Sequence, residues 1–460
     1  MQFNNPEFLL LFFPIVTLIW FAVPRVQWSI LLSASILFYS FATPHYIPLM
    51  VISILGNWII GRYVEKETIL RTYFFWIGIS LNLLLLGIFK YYNFFISQSG
   101  IPIPLLTLAL PLGISFYTFQ AISYLVEVYK HRQKSESHVG IFALYLLFYP
   151  QIIAGPINRP QQLLPQLHAK HLFDYDRVAA GLKRILWGLF KKAVVADRLG
   201  FFVDHIYNNP EGVSGISTLI ATYLFTFQLY TDFSGYTDIA LGIAQVMGIT
   251  LKENFNLPLQ AFSVTDFWNR WHISLSSWFR DYVYLPLALV WRFPWHITLL
   301  CVFFLSGLWH GAGWNFIIFG VIHGTLIVTE RLITQRWRKS IRLPFTQWIS
   351  IIYTFHAVSF SLIFFRVDVK TALTILQNIA HIPQELMSRI PISKITLDQP
   401  PIAFLFIIIL IACVHISENL YQKGIRIESK PLYVRWLLYY ALVFTIIFFG
   451  KFFQKRLFIY

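Results

Sequence analysis

Apolar runs of membrane length recur along the chain, separated by short polar segments: 8–23, 29–41, 47–60, 73–89, 105–128, 139–154, 216–230, 296–329, 348–365, 402–413 and 432–450. A bilayer core takes about 20 mainly apolar residues per helix, so the pattern predicts an all-α, multi-pass membrane protein with about 10–12 crossings. Two stretches break the pattern. In Phe148-Tyr149-Pro150-Gln151-Ile152-Ile153-Ala154-Gly155-Pro156 two prolines and a glycine interrupt any straight helix, and a polar stretch continues to about residue 182. Residues 251–295 alternate aromatic rings with hydrogen-bonding groups, as in Asp266-Phe267-Trp268-Asn269-Arg270-Trp271-His272. Both are expected to be re-entrant, since non-helical backbone at membrane depth survives only where protein or a water-filled cavity satisfies it. No long soluble insertion separates the runs, so 1–460 is expected to form a single membrane domain.

Composition narrows the class. The chain is 57% hydrophobic and 12% charged, against roughly 25% charge in soluble domains, which excludes a water-soluble globule. Its 45 Phe, 24 Tyr and 15 Trp exclude a disordered chain. The net charge of +15 collects in short segments such as Lys130-His131-Arg132-Gln133-Lys134, Lys183-Arg184 and Lys191-Lys192. Such segments between apolar runs mark cytoplasmic loops, and no nucleic-acid partner is expected. The first run lacks the features of a cleaved signal: no Lys or Arg precedes it and no small-residue cleavage site follows. With Arg25 inside, residues 62–71 and 130–134 also count to the inside. Cys301 and Cys413 lie in apolar runs and read as packing residues.

The chain has no G-x-S-x-G elbow, no phosphate loop, no H-E-x-x-H and no pair of C-x-x-C motifs, and no metal site is expected. His310 lies within Leu308-Trp309-His310-Gly311-Ala312-Gly313-Trp314-Asn315, inside an apolar stretch. Two readings stay open: a neutral imidazole that faces a cavity as a base, or a hydrogen-bonded link between helices. The flanking glycines would admit backbone or substrate. By spacing alone His272 reads as a satisfied surface histidine and His323 as a packing residue. Asp232, Ser234 and Asp238 read as a helix cap and turn, although two carboxylates could line a cavity.

Several motifs occur together and in order: Lys90-Tyr91-Tyr92-Asn93-Phe94-Phe95, Leu110-Pro111-Leu112-Gly113-Ile114-Ser115-Phe116-Tyr117, Ile153-Ala154-Gly155-Pro156, Asp232-Phe233-Ser234-Gly235-Tyr236, Glu253-Asn254-Phe255-Asn256, Trp268-Asn269-Arg270-Trp271-His272-Ile273-Ser274-Leu275-Ser276 and Trp309-His310-Gly311. In combination they resemble the membrane-bound O-acyltransferase superfamily. The resemblance implies a ring of transmembrane helices around a central funnel or tunnel, with His310 catalytic and His272 a second important histidine. It implies an O-acyltransferase, an O-acetyltransferase in the closest likeness, in a bacterial cytoplasmic membrane. Acetyl-CoA is then the cytoplasmic donor, with no bound cofactor. The acetyl group would cross the bilayer to a periplasmic or extracellular acyltransferase partner that modifies a polysaccharide, as in alginate acetylation.

Acyl transfer to a hydroxyl needs a base and donors for the developing oxyanion. His310 is the candidate base and Trp309 and Asn315 are candidate donors, while Asn269, Arg270, Asp232 and Ser234 are candidates to line the substrate path. Phe458-Ile459-Tyr460 resembles the start of a C-terminal motif of bacterial relatives, which makes Tyr460 a candidate transient acyl carrier. Two alternatives remain. A D-alanyl transferase acting on teichoic acid would share both histidine motifs, and a transporter or flippase would also contain broken helices, although the halves show no internal repeat.

Overall fold

The computed structural model describes residues 3–336, 344–387, 401–425 and 427–451, and among these every regular element is helical. Among the described residues six helices are long and apolar enough to cross a bilayer: Pro44–Glu65, Arg71–Ser99, Trp314–Ile333, Gln347–Arg366, Phe404–Gln422 and Leu432–Phe449. Phe8–Ala22, Val139–Ile152 and Trp295–His310 are shorter apolar helices. The chain forms two compact units. One takes the described residues up to Leu186 together with Tyr236–Glu253; the other takes Trp187–Gly235 and the described residues from Asn254 to Lys451.

The first unit is built on α1 (Phe13–Ala22), α2 (Gln27–Ser40), α3 (Ile47–Glu65), α4 (Arg71–Leu86), α5 (Ile114–Tyr129) and α6 (Val139–Leu147), numbering only the helices the argument uses. Asn57 and Asn82 join α3 to α4 by reciprocal amide bonds of 3.2 and 2.7 Å, which satisfies both side chains between otherwise apolar faces. The expected run 105–128 is helical only from Ile114. Pro102, Pro104 and Pro111 keep the preceding segment extended, and the Asn93 amide pins it by bonding both backbone groups of Leu106 at 2.8 Å. The run 139–154 breaks at Phe148, where a new turn, Tyr149–Ile152, starts on Pro150. Proline fits a first turn and cannot continue a preceding one. Arg184 sits in the helix Tyr175–Leu189, bonded to Asp238 at 3.0 Å and to both oxygens of Glu253 at 2.7 and 2.6 Å.

α7 (Gly215–Val246) is a continuous helix of 32 residues, and its part up to Gly235 belongs to the second unit. The cap-and-turn reading of Asp232 and Ser234 is therefore corrected: both are buried within a continuous helix. The carboxylate is tolerated there because Lys192 forms an ion pair with it while also lying 2.9 Å from Asp197. Tertiary charge neutralisation thus overrides the local preference of Asp and Ser for helix ends. The polar stretch 251–295 folds as two short helices, α8 (Val264–Arg270) and α9 (Ile273–Phe279), followed by π-helical turns at Arg280–Tyr284 and Pro286–Val290.

The run 296–329 forms two helices, α10 (Trp295–His310) and α11 (Trp314–Arg336), and α12 (Pro344–Arg366) follows. The break falls at Gly311–Gly313. Glycine is required where α10 and α11 cross: a Cβ on Gly307 would lie 2.3 Å from the Phe316 carbonyl oxygen, and one on Gly320 would lie 2.2 Å from that of Phe303. A Cβ on Gly311 would lie 2.1 Å from the Phe316 ring. These glycines admit the chain's own backbone and rings, and the hairpin they allow holds His310 at its bend.

Candidate active site

His310 ends α10 and is buried, its ring edge-on to Phe365 (centroids 5.2 Å apart) and Phe319 (5.8 Å). The neighbouring Trp309 ring lies 5.0 Å from the His310 imidazole and 6.2 Å from that of His272, edge-on to each. One buried indole therefore contacts both sequence-predicted histidines, and all of these residues belong to the second unit.

His272 joins α8 to α9 with φ +45°, the left-handed region, which costs a non-glycine residue about 1–3 kcal/mol. The surface reading is overturned: His272 is 1% exposed and neither ring nitrogen has a hydrogen-bond partner. Phe233 of α7 lies 4.7 Å from the ring, and Phe255 packs on Phe233 and Trp271 at 5.1 Å each. This aromatic enclosure buries the ring. Burial pushes the His272 imidazole, which lies outside the spanning helices, down to about 3, so it is neutral at physiological pH.

The backbone around His272 is held by residues 254–256. The Asn254 carbonyl accepts from Ile273 N–H at 3.0 Å, Asn254 Oδ1 accepts from Ser274 N–H at 3.1 Å, and Asn256 N–H donates to the Arg270 carbonyl at 3.0 Å. The local sequence around Asn254 assigns it no role, because nothing in it reveals a bond to a residue twenty positions away.

The other candidates are placed differently. Asn315 donates from Nδ2 to the Phe364 carbonyl at 3.1 Å, tying the start of α11 to α12. Asn269 is exposed, and Arg270 is bonded to Asp266 at 2.9 Å. Asp232 is engaged by Lys192, whereas the neighbouring Ser234 Oγ is buried without a partner. Tyr460 lies outside the described residues. His323 is buried and bonded at both nitrogens: Trp268 Nε1–H donates to Nδ1 at 3.1 Å, and Nε2 meets Ser361 Oγ at 2.8 Å.

Two neutral-capable imidazoles on one indole, within a hydrophobic enclosure, suit proton transfer during attack on an acyl carbonyl. Comparison with known proteins agrees with that chemistry. The model of the membrane-bound O-acyltransferase family matches residues 141–367, which contain both histidines. The chain is 32% identical to the peptidoglycan O-acetyltransferase of Helicobacter pylori over 92% of its own length and 91% of the relative's. It is 37% identical to the probable alginate O-acetylase AlgI of Azotobacter vinelandii, over 72% of this chain and 69% of the relative. It is also 31% identical to the teichoic acid D-alanyltransferase of Bacillus subtilis, over 55% and 68%. Helical spans, paired histidines and these likenesses converge: the chain belongs to the membrane-bound O-acyltransferase family and is a multi-pass membrane O-acyltransferase.

Proposed function

We propose that this enzyme takes an acetyl group from cytoplasmic acetyl-CoA and passes it across a bacterial cytoplasmic membrane for O-acetylation of a glycan outside the cytoplasm. The observation that carries this reading is the contact of Trp309 with both buried imidazoles. In the reaction, a hydroxyl oxygen attacks the thioester carbonyl, the C–O bond of the ester forms and the C–S bond breaks. His310 takes the hydroxyl proton and returns it to the leaving thiolate, so the step is balanced without a cofactor. His272, neutral and enclosed beside Trp309, orients the acyl group. A separate acyltransferase on the far side of the membrane then completes transfer to the glycan.

Support for the acetyl group comes from relatives named for O-acetylation that align over most of the chain. Their names divide the acceptor between peptidoglycan and alginate, and a sugar hydroxyl is the chemistry common to both. A D-alanyl group is the second reading, favoured by the Bacillus subtilis relative, which aligns over a smaller share of the chain. Membrane vesicles given acetyl-CoA labelled in the acetyl carbon test the proposal. Alkali-labile label should appear on extracytoplasmic glycan with the wild type and not with His310→Ala. Label transfer from a D-alanyl carrier thioester, with none from acetyl-CoA, would replace the first reading with the second.

A further inference from the structure

We propose that Asn254 is the positioning residue of His272: it caps helix α9 from outside and thereby leaves the imidazole free for chemistry. The proposal rests on the assignment of His272 to the acyl-transfer site. Helix starts leave backbone N–H groups without intrahelical partners, and the residue at the N-cap ordinarily turns its own side chain back to accept from one of them. His272 occupies that place on α9 and does not do so. Leu275 and Ser276 N–H donate to the His272 carbonyl at 2.9 and 3.0 Å, and the two N–H groups before them, Ile273 and Ser274, donate to the Asn254 backbone and side-chain oxygens. The start of α9 is thus satisfied without the imidazole.

The same chain contains the ordinary arrangement. His138 is the N-cap of α6 at φ −95°, and its Nδ1 accepts from Ile141 N–H at 3.2 Å. A histidine with a nitrogen engaged by its own helix cannot offer that nitrogen to a substrate. His272 has a left-handed φ and makes no side-chain cap bond, and fully buried Asn254 accepts instead from Ser274 N–H, one of the groups an N-cap side chain ordinarily takes. Asn suits the task because one residue offers two acceptors, a carbonyl and Oδ1, to consecutive N–H groups.

The test measures acetyl transfer from labelled acetyl-CoA in membranes for Asn254→Ala, Asn254→Asp, His272→Asn and the double variant Asn254→Ala/His272→Asn, with His310→Ala alongside. Asn254→Ala should lower kcat at least tenfold with little change in KM for acetyl-CoA. Asn254→Asp keeps the acceptor and trades the Nδ2–H donors, which have no partner, for a carboxylate oxygen at the start of a helix, where negative charge is favourable, so it should stay within threefold of wild type. Adding Asn254→Ala to His272→Asn should lower the rate less than twofold further, because the two residues act as one unit. A full tenfold loss in the His272→Asn background overturns the proposal. If Asn254→Ala does not accumulate, Asn254→Asp decides alone: a tenfold loss, or no folded protein, overturns the capping role. Wild-type transfer by His310→Ala would instead mark failure of the functional reading itself. An inactive His310→Ala beside a normal Asn254→Ala would sink only the present inference.

Discussion

His323 and His272 are both buried against aromatic rings in the same unit, yet one has both ring nitrogens bonded and the other has neither. Indole only donates, so Nδ1 of His323 accepts from Trp268 and Nε2 carries the proton, which it gives to Ser361 Oγ. The Ser361 hydroxyl then donates to the Val358 carbonyl at 2.7 Å. This directed chain links α8, α11 and α12 and fixes a neutral tautomer, since a proton on Nδ1 would face the indole N–H. His323 is a strut. His272 instead combines a left-handed backbone with two unsatisfied nitrogens, and each such buried group costs about 1–3 kcal/mol. A position that retains both penalties serves chemistry at the expense of stability. The satisfaction of a buried histidine is thus more informative than its burial.

The largest effect expected is from Gly320→Val, which removes the scaffold of the site. Even a Cβ there meets the Phe303 carbonyl at 2.2 Å, so α10 and α11 cannot close and no monodisperse protein should be recovered on size-exclusion chromatography. His272→Asn comes next. Asn tolerates the left-handed backbone, so acetyl transfer should fall at least about tenfold, roughly 1.4 kcal/mol in the barrier, while the thermal midpoint does not fall. His323→Phe should do the reverse, destabilising the protein by about 1–3 kcal/mol in thermal unfolding while transfer per folded molecule remains within about threefold. Equal activity losses in these two variants would abolish the distinction between strut and site. The smallest effect concerns pH. An imidazole that acts in its neutral form loses function only as pH falls through its pKa, and burial places that of His272, the orienting residue, at about 3. Between about pH 5 and 8 it does not titrate, so His272→Asn should lower the height of the kcat/KM profile without moving its acid limb. A shifted limb would show that His272 does titrate there.

Much of the fold was legible because proline and glycine punctuate it. The all-helical, multi-pass character and the break near Phe148 follow from composition and Pro150, whereas 296–329 reads as one span and is in fact broken at Gly311–Gly313. The run 105–128 was read too long because its apolar composition outweighed Pro111 and the two prolines just before it, Pro102 and Pro104. The continuation of α7 through Asp232 was illegible locally, since it depends on Lys192, forty residues away in sequence. His310 stood out by its depth in an apolar run. His272 did not, because a polar, aromatic sequence hides whether a histidine ends on the surface or inside. Its cap, Asn254, is set by a contact across a loop that spacing cannot encode. Asn269, one residue among several polar neighbours, turned out exposed.

The central claim is that His310 is the base of acyl transfer, carried with His272 on Trp309. The most direct test is the initial rate of acetyl transfer from acetyl-CoA by purified, reconstituted His310→Ala, with insertion and monodispersity matched to wild type. The account predicts a fall of about 10²–10⁴-fold in kcat with KM for acetyl-CoA nearly unchanged. A kcat equal to that of wild type would contradict it.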